Sequence, residues 1–273
     1  MNQREFDVVV YGATGFAGTL TAEYLQDTYG GDVRWAVAGR DEAKLKRLIA
    51  DLADRRPDAP AVAYLVADSQ DREALDKMMV RTRAICTTVG PYAKYGAEVV
   101  ASAVAQHTHY CDLTGEPQFI RRMIDAHHEE AKKAGVRIVH CAGFDSIPSD
   151  LGTYLVQKLA MERDGKPCDE VEYVVTSMKG GFSGGTLASM MNLMEEAADK
   201  DVRRVLGNPY GLCEQSGPDT KEQTGARYSE ALDAWTGPFV MASINERLVR
   251  RTNELLNHRY GTDFRYGESM KTG

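Results

Sequence analysis

Short apolar runs rich in β-branched residues alternate along the first half of the chain with longer stretches of helical period. This rhythm predicts βαβ units that close into a parallel sheet. The predicted strands are FDVVVYG from Phe6, VRWAVAG from Val33, AVAYLVA from Ala61, AICTTVG from Ala84, HYCDLTG from His109 and VRIVHCAG from Val136. Helices are predicted from Thr19 to Gln26, Asp41 to Arg56, Asp71 to Thr82, Gly96 to Gln106 and Gln118 to Gly135. Asp41 and Asp71 stand where N-caps belong, and Gly135 where a helix stop belongs. Right-handed crossovers through six such strands give the doubly wound Rossmann sheet.

After Pro148 the pattern changes. A helix is predicted from Asp150 to about Glu162, and then EVEYVVTSM from Glu170 alternates apolar with polar, as a strand with one wetted face does. GGFSGGT from Gly180 is a glycine-rich turn before a helix from Leu187 to about Lys200, and residues 208–227 form a long polar loop. The expected organisation is an α/β Rossmann domain over 1–148 and, over 149–273, an α+β domain carrying a mainly antiparallel sheet.

Composition narrows the classes. Hydrophobic residues are 43% and charged residues 27% of 273, an ordinary globular balance. Net charge of -7 opposes binding to nucleic acid phosphates or anionic lipid. The five cysteines show no C-x-x-C pair, which fits reduced thiols in the cytoplasm. No apolar run approaches the roughly 20 residues that span a bilayer, and the first strand follows the N-terminus without a leader pattern.

Between the first strand and first helix lies GATGFAG, with glycines at 12, 15 and 18. In a dinucleotide-binding turn the first glycine allows the tight bend, the second admits the pyrophosphate to the backbone, and the third lets helix and strand pack. Gly12, Thr14, Gly15, Phe16, Ala17 and Gly18 are therefore candidate cofactor contacts, the alternative being a ligand-free glycine turn. Arg40 ends the second strand, where an acidic residue would take a ribose 2′-OH and an arginine a 2′-phosphate. It points to NADP over NAD, unless Asp41 simply caps the helix and Arg40 is a solvated charge. Asp68 is placed for the adenine edge, and Thr88, Val89, Gly90 and Pro91 for the nicotinamide ribose.

Tyr92 is a candidate proton donor or an aromatic wall beside the nicotinamide, and Asp145 a candidate for orienting substrate or an ordinary turn residue. Asp112 and Glu116 border the same crevice and can equally tie loops together. His107, His109 and Cys111 alternate along one strand but lack a fourth ligand, so no metal is expected. The adjacent His127 and His128 point in different directions on a helix. Tyr154 and Lys158 match the Tyr-x-x-x-Lys spacing of short-chain dehydrogenases but come one βα unit too late. No G-x-S-x-G nucleophile elbow is present.

The succession GATGFAG, AGR, TTVGPYAKYG from Thr87, THYCDLTGE from Thr108 and HCAGFDSIPSDLG from His140 resembles the saccharopine dehydrogenase-like family. SMKGGFSGGTLASM from Ser177, GPFVMASINERLVRRTNELL from Gly237 and FRYGESM from Phe264 resemble its trans-acting enoyl reductase branch. The resemblance implies an NADPH-dependent reductase of a carbon-carbon double bond in a small-molecule or carrier-bound acyl chain, serving a polyketide synthase in lipid biosynthesis. It also implies chains longer than this one, so the second domain is expected to be truncated. Rival expectations are a protein that binds NAD(P) without turnover and a scaffold for lipid machinery at the membrane periphery. Self-association is left open.

Overall fold

The computed structural model describes residues 4–181, 184–218 and 222–272. The chain divides into two compact units. Unit 1 comprises Met1–Thr114, Arg122–Ala142 and Ser183–Asn192, and unit 2 comprises Gly115–Arg121, Gly143–Phe182 and Leu193–Gly273. The main division thus falls at Gly143 rather than Ser149, and two short segments change sides.

Unit 1 holds a six-stranded parallel sheet in the order β3-β2-β1-β4-β5-β6. Its strands are β1 (Phe6–Tyr11), β2 (Trp35–Gly39), β3 (Ala63–Val66), β4 (Thr82–Thr87), β5 (His109–Asp112) and β6 (Ile138–Val139). This is the Rossmann order, in which the topology reverses between β1 and β4 and opens a crevice at the carboxyl edge. Helices α1 (Phe16–Tyr29) and α2 (Glu42–Arg55) supply Ala22, Leu45, Leu48 and Leu52 to a core with Val10, Trp35 and Val37. Each Leu buried in this way contributes about 1.5–3 kcal/mol. Val9 and Ile85 face the other way and are fully buried, on the side of the sheet where α3 (Arg72–Met79) and α5 (Ala97–Ala105) pack against β4 and β5.

The predicted caps form. Asp41 Oδ1 accepts from Lys44 N at 3.0 Å and Asp71 Oδ1 from Ala74 N at 3.0 Å. The helix expected from Gly96 is preceded by a single turn, α4 (Tyr92–Tyr95), and α6 spans Pro117–Ala134. β6 is only two residues long, against the eight expected. Cys141 takes φ +56, a left-handed conformation that ends extended backbone after His140.

Unit 2 holds α7 (Ile147–Asp164) and a separate sheet of order β7-β10-β9-β8. Its strands are β7 (Glu170–Val175), β8 (Arg227–Ser229), β9 (Ala234–Pro238) and β10 (Arg265–Lys271). Two of its three pairings are antiparallel, but β7 runs parallel to β10, so the alternating segment at Glu170 is an edge strand of a mixed sheet. The helix predicted from Leu187 to about Lys200 is α8 (Gly184–Glu196), and an unpredicted helix, α9 (Lys200–Gly207), follows it. The Asp199 carboxylate accepts from Asp201 N and Val202 N and starts the second afresh. Phe182 and Ser183 of the glycine-rich turn lie outside the described residues.

The centre of unit 2 is polar. On α10 (Ala242–Leu255), Asn245 donates from Nδ2 to Glu268 Oε2 at 3.0 Å, Ser149 Oγ at 3.1 Å and Asp145 O at 2.9 Å. Tyr266 Oη donates to Glu268 Oε1 at 2.6 Å. Glu246 accepts from Arg250 at 3.0 Å and from the Glu268 backbone N at 3.3 Å. Glu268 thus has neutral donors on both oxygens, while Glu246 has a guanidinium. Burial raises the pKa of both carboxyls.

A raised carboxyl pKa means that the folded state binds more protons than the unfolded chain between the two pKa values. The contribution of Glu268 to stability is therefore present at low pH and fades as pH rises above about 4. Glu268→Gln should gain relative to wild type from pH 4 to 7, by up to about 1.4 kcal/mol for each unit by which the folded pKa is raised. Urea unfolding across that range checks this, and a constant difference between the two proteins would refute it.

Candidate functional site

The turn after β1 is set by its glycines. Gly12 has φ +85, and a Cβ there would stand 2.8 Å from both Thr88 Oγ1 and Val89 Cγ2. Gly12 O accepts from Gly15 N at 3.0 Å and from Thr88 Oγ1 at 3.1 Å, which ties the turn to the end of β4. At Gly18 a Cβ would lie 2.2 Å from Gly12 O, so this position admits no side chain. Gly15 is different: the nearest atom to its Cβ would be Gly12 O at 3.3 Å, and the rest is open space in front of the first turn of α1. No side chain caps that helix, which begins at exposed Phe16. An anion fits there, held by the amide groups of Phe16, Ala17 and Gly18 with exposed Thr14 beside it.

Arg40 is exposed at the end of β2 and makes no hydrogen bond or ion pair with the described residues. Asp41, next to it, is committed to the cap of α2 and lies 3.9 Å from Lys44 Nζ. Tyr11 Oη donates to Ala67 O at 3.2 Å, and Asp68 Oδ1 accepts from Gln70 N at 2.9 Å, which shapes the turn after β3. Thr88, Val89, Gly90 and Pro91 are half-buried along the same edge, with Thr88 N donating to Tyr11 O at 2.9 Å. An open cradle at Gly15 and an unpaired guanidinium at Arg40 are what a dinucleotide with a 2′-phosphate requires of this fold.

Tyr92 is 4% exposed, and its hydroxyl donates to Thr87 O at 3.1 Å while accepting from Leu113 N at 3.4 Å. This geometry favours the wall over the proton donor. Asp145 lies in the other unit, as does Glu116, so the two catalytic candidates Tyr92 and Asp145 belong to different compact bodies. Asp145 is exposed as a residue, and partial burial of its carboxyl pushes its pKa up.

The strongest polar cluster of unit 1 centres on Asp112, the last residue of β5. Its side chain is fully buried. Oδ2 accepts from Tyr110 Oη at 2.8 Å and lies 2.7 Å from His140 Nδ1, within hydrogen-bond distance. Oδ1 accepts from Thr114 N at 3.1 Å and Cys141 N at 3.0 Å. His140 was legible only as a letter in a motif, because its partner lies 28 residues away on the neighbouring strand.

Other candidates have ordinary roles. His109 Nδ1 accepts from Arg137 N at 3.1 Å, and His107 turns the chain at φ 54 after α5. Among the described residues no three His, Cys, Asp or Glu side chains are placed to hold a metal ion. Tyr154 packs against the Tyr260 and Phe264 cluster, and Lys158 sits 3.8 Å from Glu162 on the surface, so the Tyr-x-x-x-Lys match is a helix packing pattern.

Comparison with known proteins shows the family. Residues 8–139 match the saccharopine dehydrogenase NADP binding domain, so unit 1 is an NADP-binding Rossmann unit. A Mycobacterium leprae protein named trans-acting enoyl reductase is 39% identical over 100% of this chain and 67% of its own length. A Mycobacterium tuberculosis protein, provisionally given the same name, is 45% identical over 99% of this chain and 66% of its own. A solved saccharopine dehydrogenase from Saccharomyces cerevisiae overlays at TM-score 0.45 and 19% identity, covering 62% of this chain and 34% of that one. The chain belongs to the saccharopine dehydrogenase-like family, in its trans-acting enoyl reductase branch, and spans about two-thirds of the length of the relatives it matches.

Two of these glycines make separable predictions. Gly18→Ala should lower unfolding free energy by about 1–3 kcal/mol, since the new methyl meets backbone that cannot yield. Gly15→Val should leave the melting temperature within a few degrees of wild type and abolish NADPH binding by fluorescence titration. Retained affinity in Gly15→Val would remove the turn from the cofactor site.

Proposed function

We propose that this chain is an NADPH-dependent reductase of the carbon-carbon double bond in an acyl substrate. The observation that carries the reading is the pairing of the open Gly15 cradle with the exposed, unpaired Arg40 at one sheet edge. In this reading the pyrophosphate rests on residues 14–18, Arg40 holds the 2′-phosphate, and Asp68 faces the adenine. Thr88 to Pro91 pass beneath the nicotinamide ribose, and Tyr92 forms the wall beside it. Bound NADPH supplies the hydride, so the protein's own task is to place the acceptor carbon, exclude water and deliver a proton. Asp145, with its raised carboxyl pKa, is assigned to orienting the substrate.

The names of the relatives support an enoyl acceptor carried by a synthase, and so a place in lipid assembly. No helix among the described residues is long and apolar enough to cross a membrane, which fits a carrier-borne substrate met in the cytoplasm. The direct test mixes protein, NADPH and a trans-2-enoyl N-acetylcysteamine thioester and follows loss of nicotinamide absorbance. Binding without oxidation of NADPH for any acyl chain length would instead support a non-catalytic binder.

Cofactor choice gives the sharpest expectation. The guanidinium of Arg40 makes charge-assisted hydrogen bonds that NADH, lacking the phosphate, cannot return. Arg40→Ala should weaken NADPH binding by about ten- to a hundredfold and leave NADH nearly unchanged. Equal weakening toward both, measured by paired titrations, would mean that Arg40 stacks on the adenine.

A further inference from the structure

We propose that Cys86 and Cys111 form a dithiol that hydroperoxides oxidise to a disulfide and thiol reductants restore. Neither residue belongs to the surfaces assigned to cofactor or substrate, so the site stands apart from the reductase reading.

The pair is made by strand register. β4 and β5 run parallel with Cys86 directly opposite Cys111, and in such a pair both side chains leave the same face of the sheet. The flanking residues agree: Ile85, Thr87, Tyr110 and Asp112 are buried on the opposite face, while both cysteines are half-buried. Neighbouring strands stand about 4.7–4.9 Å apart, inside the Cα separation of about 4.4–6.8 Å that a disulfide spans. The register also carries the row outward. Val10, beside Cys86, belongs to the core with α1 and α2, and Val139, beside Cys111, is 46% exposed. A small oxidant therefore reaches the pair from the β6 side.

The two thiols differ in acidity. The Cys111 thiol beside it lowers the pKa of Cys86 against the opposing effect of burial, and Cys111 is itself pushed up by Cys86 and by burial. Cys86 is thus the sulfur that carries the thiolate, and Cys111 the one that keeps its proton. The other cysteines offer no comparable pair. Cys141 is buried with Sγ donating to Thr114 O at 2.8 Å, Cys168 and Cys213 lie in unit 2, and burial pushes Cys213 up to about 12.

The reaction balances with hydrogen peroxide as the oxidant. The Cys86 thiolate attacks one peroxide oxygen, the O–O bond breaks, and the leaving hydroxide takes from solvent the proton that Cys86 had released. The Cys111 sulfur then attacks the sulfenic acid on Cys86. An S–S bond forms, the S–O bond breaks, and water leaves with the Cys111 proton. Two thiols are oxidised and one peroxide is reduced to two waters. A relaxed disulfide holds its Cβ atoms about 3.5–4.5 Å apart, closer than the strand spacing, so the bond draws β4 onto β5. A bond strained in this way is readily reduced, which makes the change reversible.

Two measurements on the full chain test this. The first is peptide mapping after hydrogen peroxide, and again after dithiothreitol, with free thiols alkylated at each stage. The expected product is a linked pair of peptides carrying Cys86 and Cys111, lighter by two hydrogen atoms, which dithiothreitol separates, with Cys141, Cys168 and Cys213 still alkylated. Cys111→Ser should hold the intermediate as a sulfenic acid on Cys86, labelled by dimedone, and Cys86→Ser should give no label on Cys111. The second needs no oxidation: phenylarsine oxide, which bridges two neighbouring thiols, should bind wild type once per chain and neither serine variant. Peroxide that leaves both residues as thiols, or converts either to sulfinic acid without the link, would overturn the proposal. So would equal dimedone labelling of the two single variants, or arsenical binding that survives both substitutions.

Discussion

The close approach of the β1–α1 turn to the end of β4 is the constraint on which the site depends. Gly12 O receives both Gly15 N and the Thr88 hydroxyl, and Gly18 packs against that same carbonyl with no room for a methyl group. Three elements are thereby fixed to one atom. The first turn of α1 is held with its amide groups facing outward over the carboxyl edge, where the helix dipole favours an anion. The end of β4 is held beside it, so that whatever rests on the helix also crosses Thr88 to Pro91. Were the turn looser, neither the proposed phosphate cradle nor the proposed floor beneath the nicotinamide would have a defined position.

Both units organise their interiors around buried carboxylates, but with different partners. Removing a carboxylate from water is expensive unless donors replace the lost hydration. Asp112 obtains three donors and a contact with His140 Nδ1 from its own and the neighbouring strand. Glu246 is matched by a guanidinium on its own helix at 3.0 Å. Among the described residues Glu268 has the Tyr266 phenol and the Asn245 amide on its two oxygens, and burial raises its pKa as it raises that of Glu246. The first arrangement surrounds a carboxyl with donors beside an imidazole, and the second sets a guanidinium against one. The third stores a proton more tightly, and its penalty appears at neutral pH.

What could be read from the sequence was local. The glycine turn, the caps at Asp41 and Asp71, and the alternation of strands with crossover helices each follow from residues within a βα unit, where spacing determines geometry. What could not be read was set between distant segments. The pairing of β7 with β10 joins Glu170 to Arg265, and nothing in the alternation of either strand indicates a parallel neighbour. The short β6 depends on the conformation of Cys141, which is imposed by Asp112 and Thr114 on another strand. Tyr92 was rightly placed at the sheet edge, yet the use of its hydroxyl depended on Thr87 O, five residues back across a turn. The Asp112–His140 contact had the same invisibility: each residue alone is an ordinary strand terminus.

Arg40 and Asp41 show how a local structural duty can decide a chemical choice. A carboxylate at the end of β2 would accept hydrogen bonds from the adenosine ribose and reject a 2′-phosphate by like charge. One is present, only a residue later, but α2 claims it. Lys44 N lies 3.0 Å from Asp41 Oδ1 and Lys44 Nζ 3.9 Å from Oδ2, so turning this carboxylate toward a ribose would uncap the helix, a loss of about 1 kcal/mol. Arg40 carries no such obligation, since its backbone closes the strand and its side chain is left exposed. The cap therefore does more than start a helix. By holding the acidic neighbour in place, it leaves the guanidinium exposed at the end of β2, which is what the proposed contact with a 2′-phosphate needs.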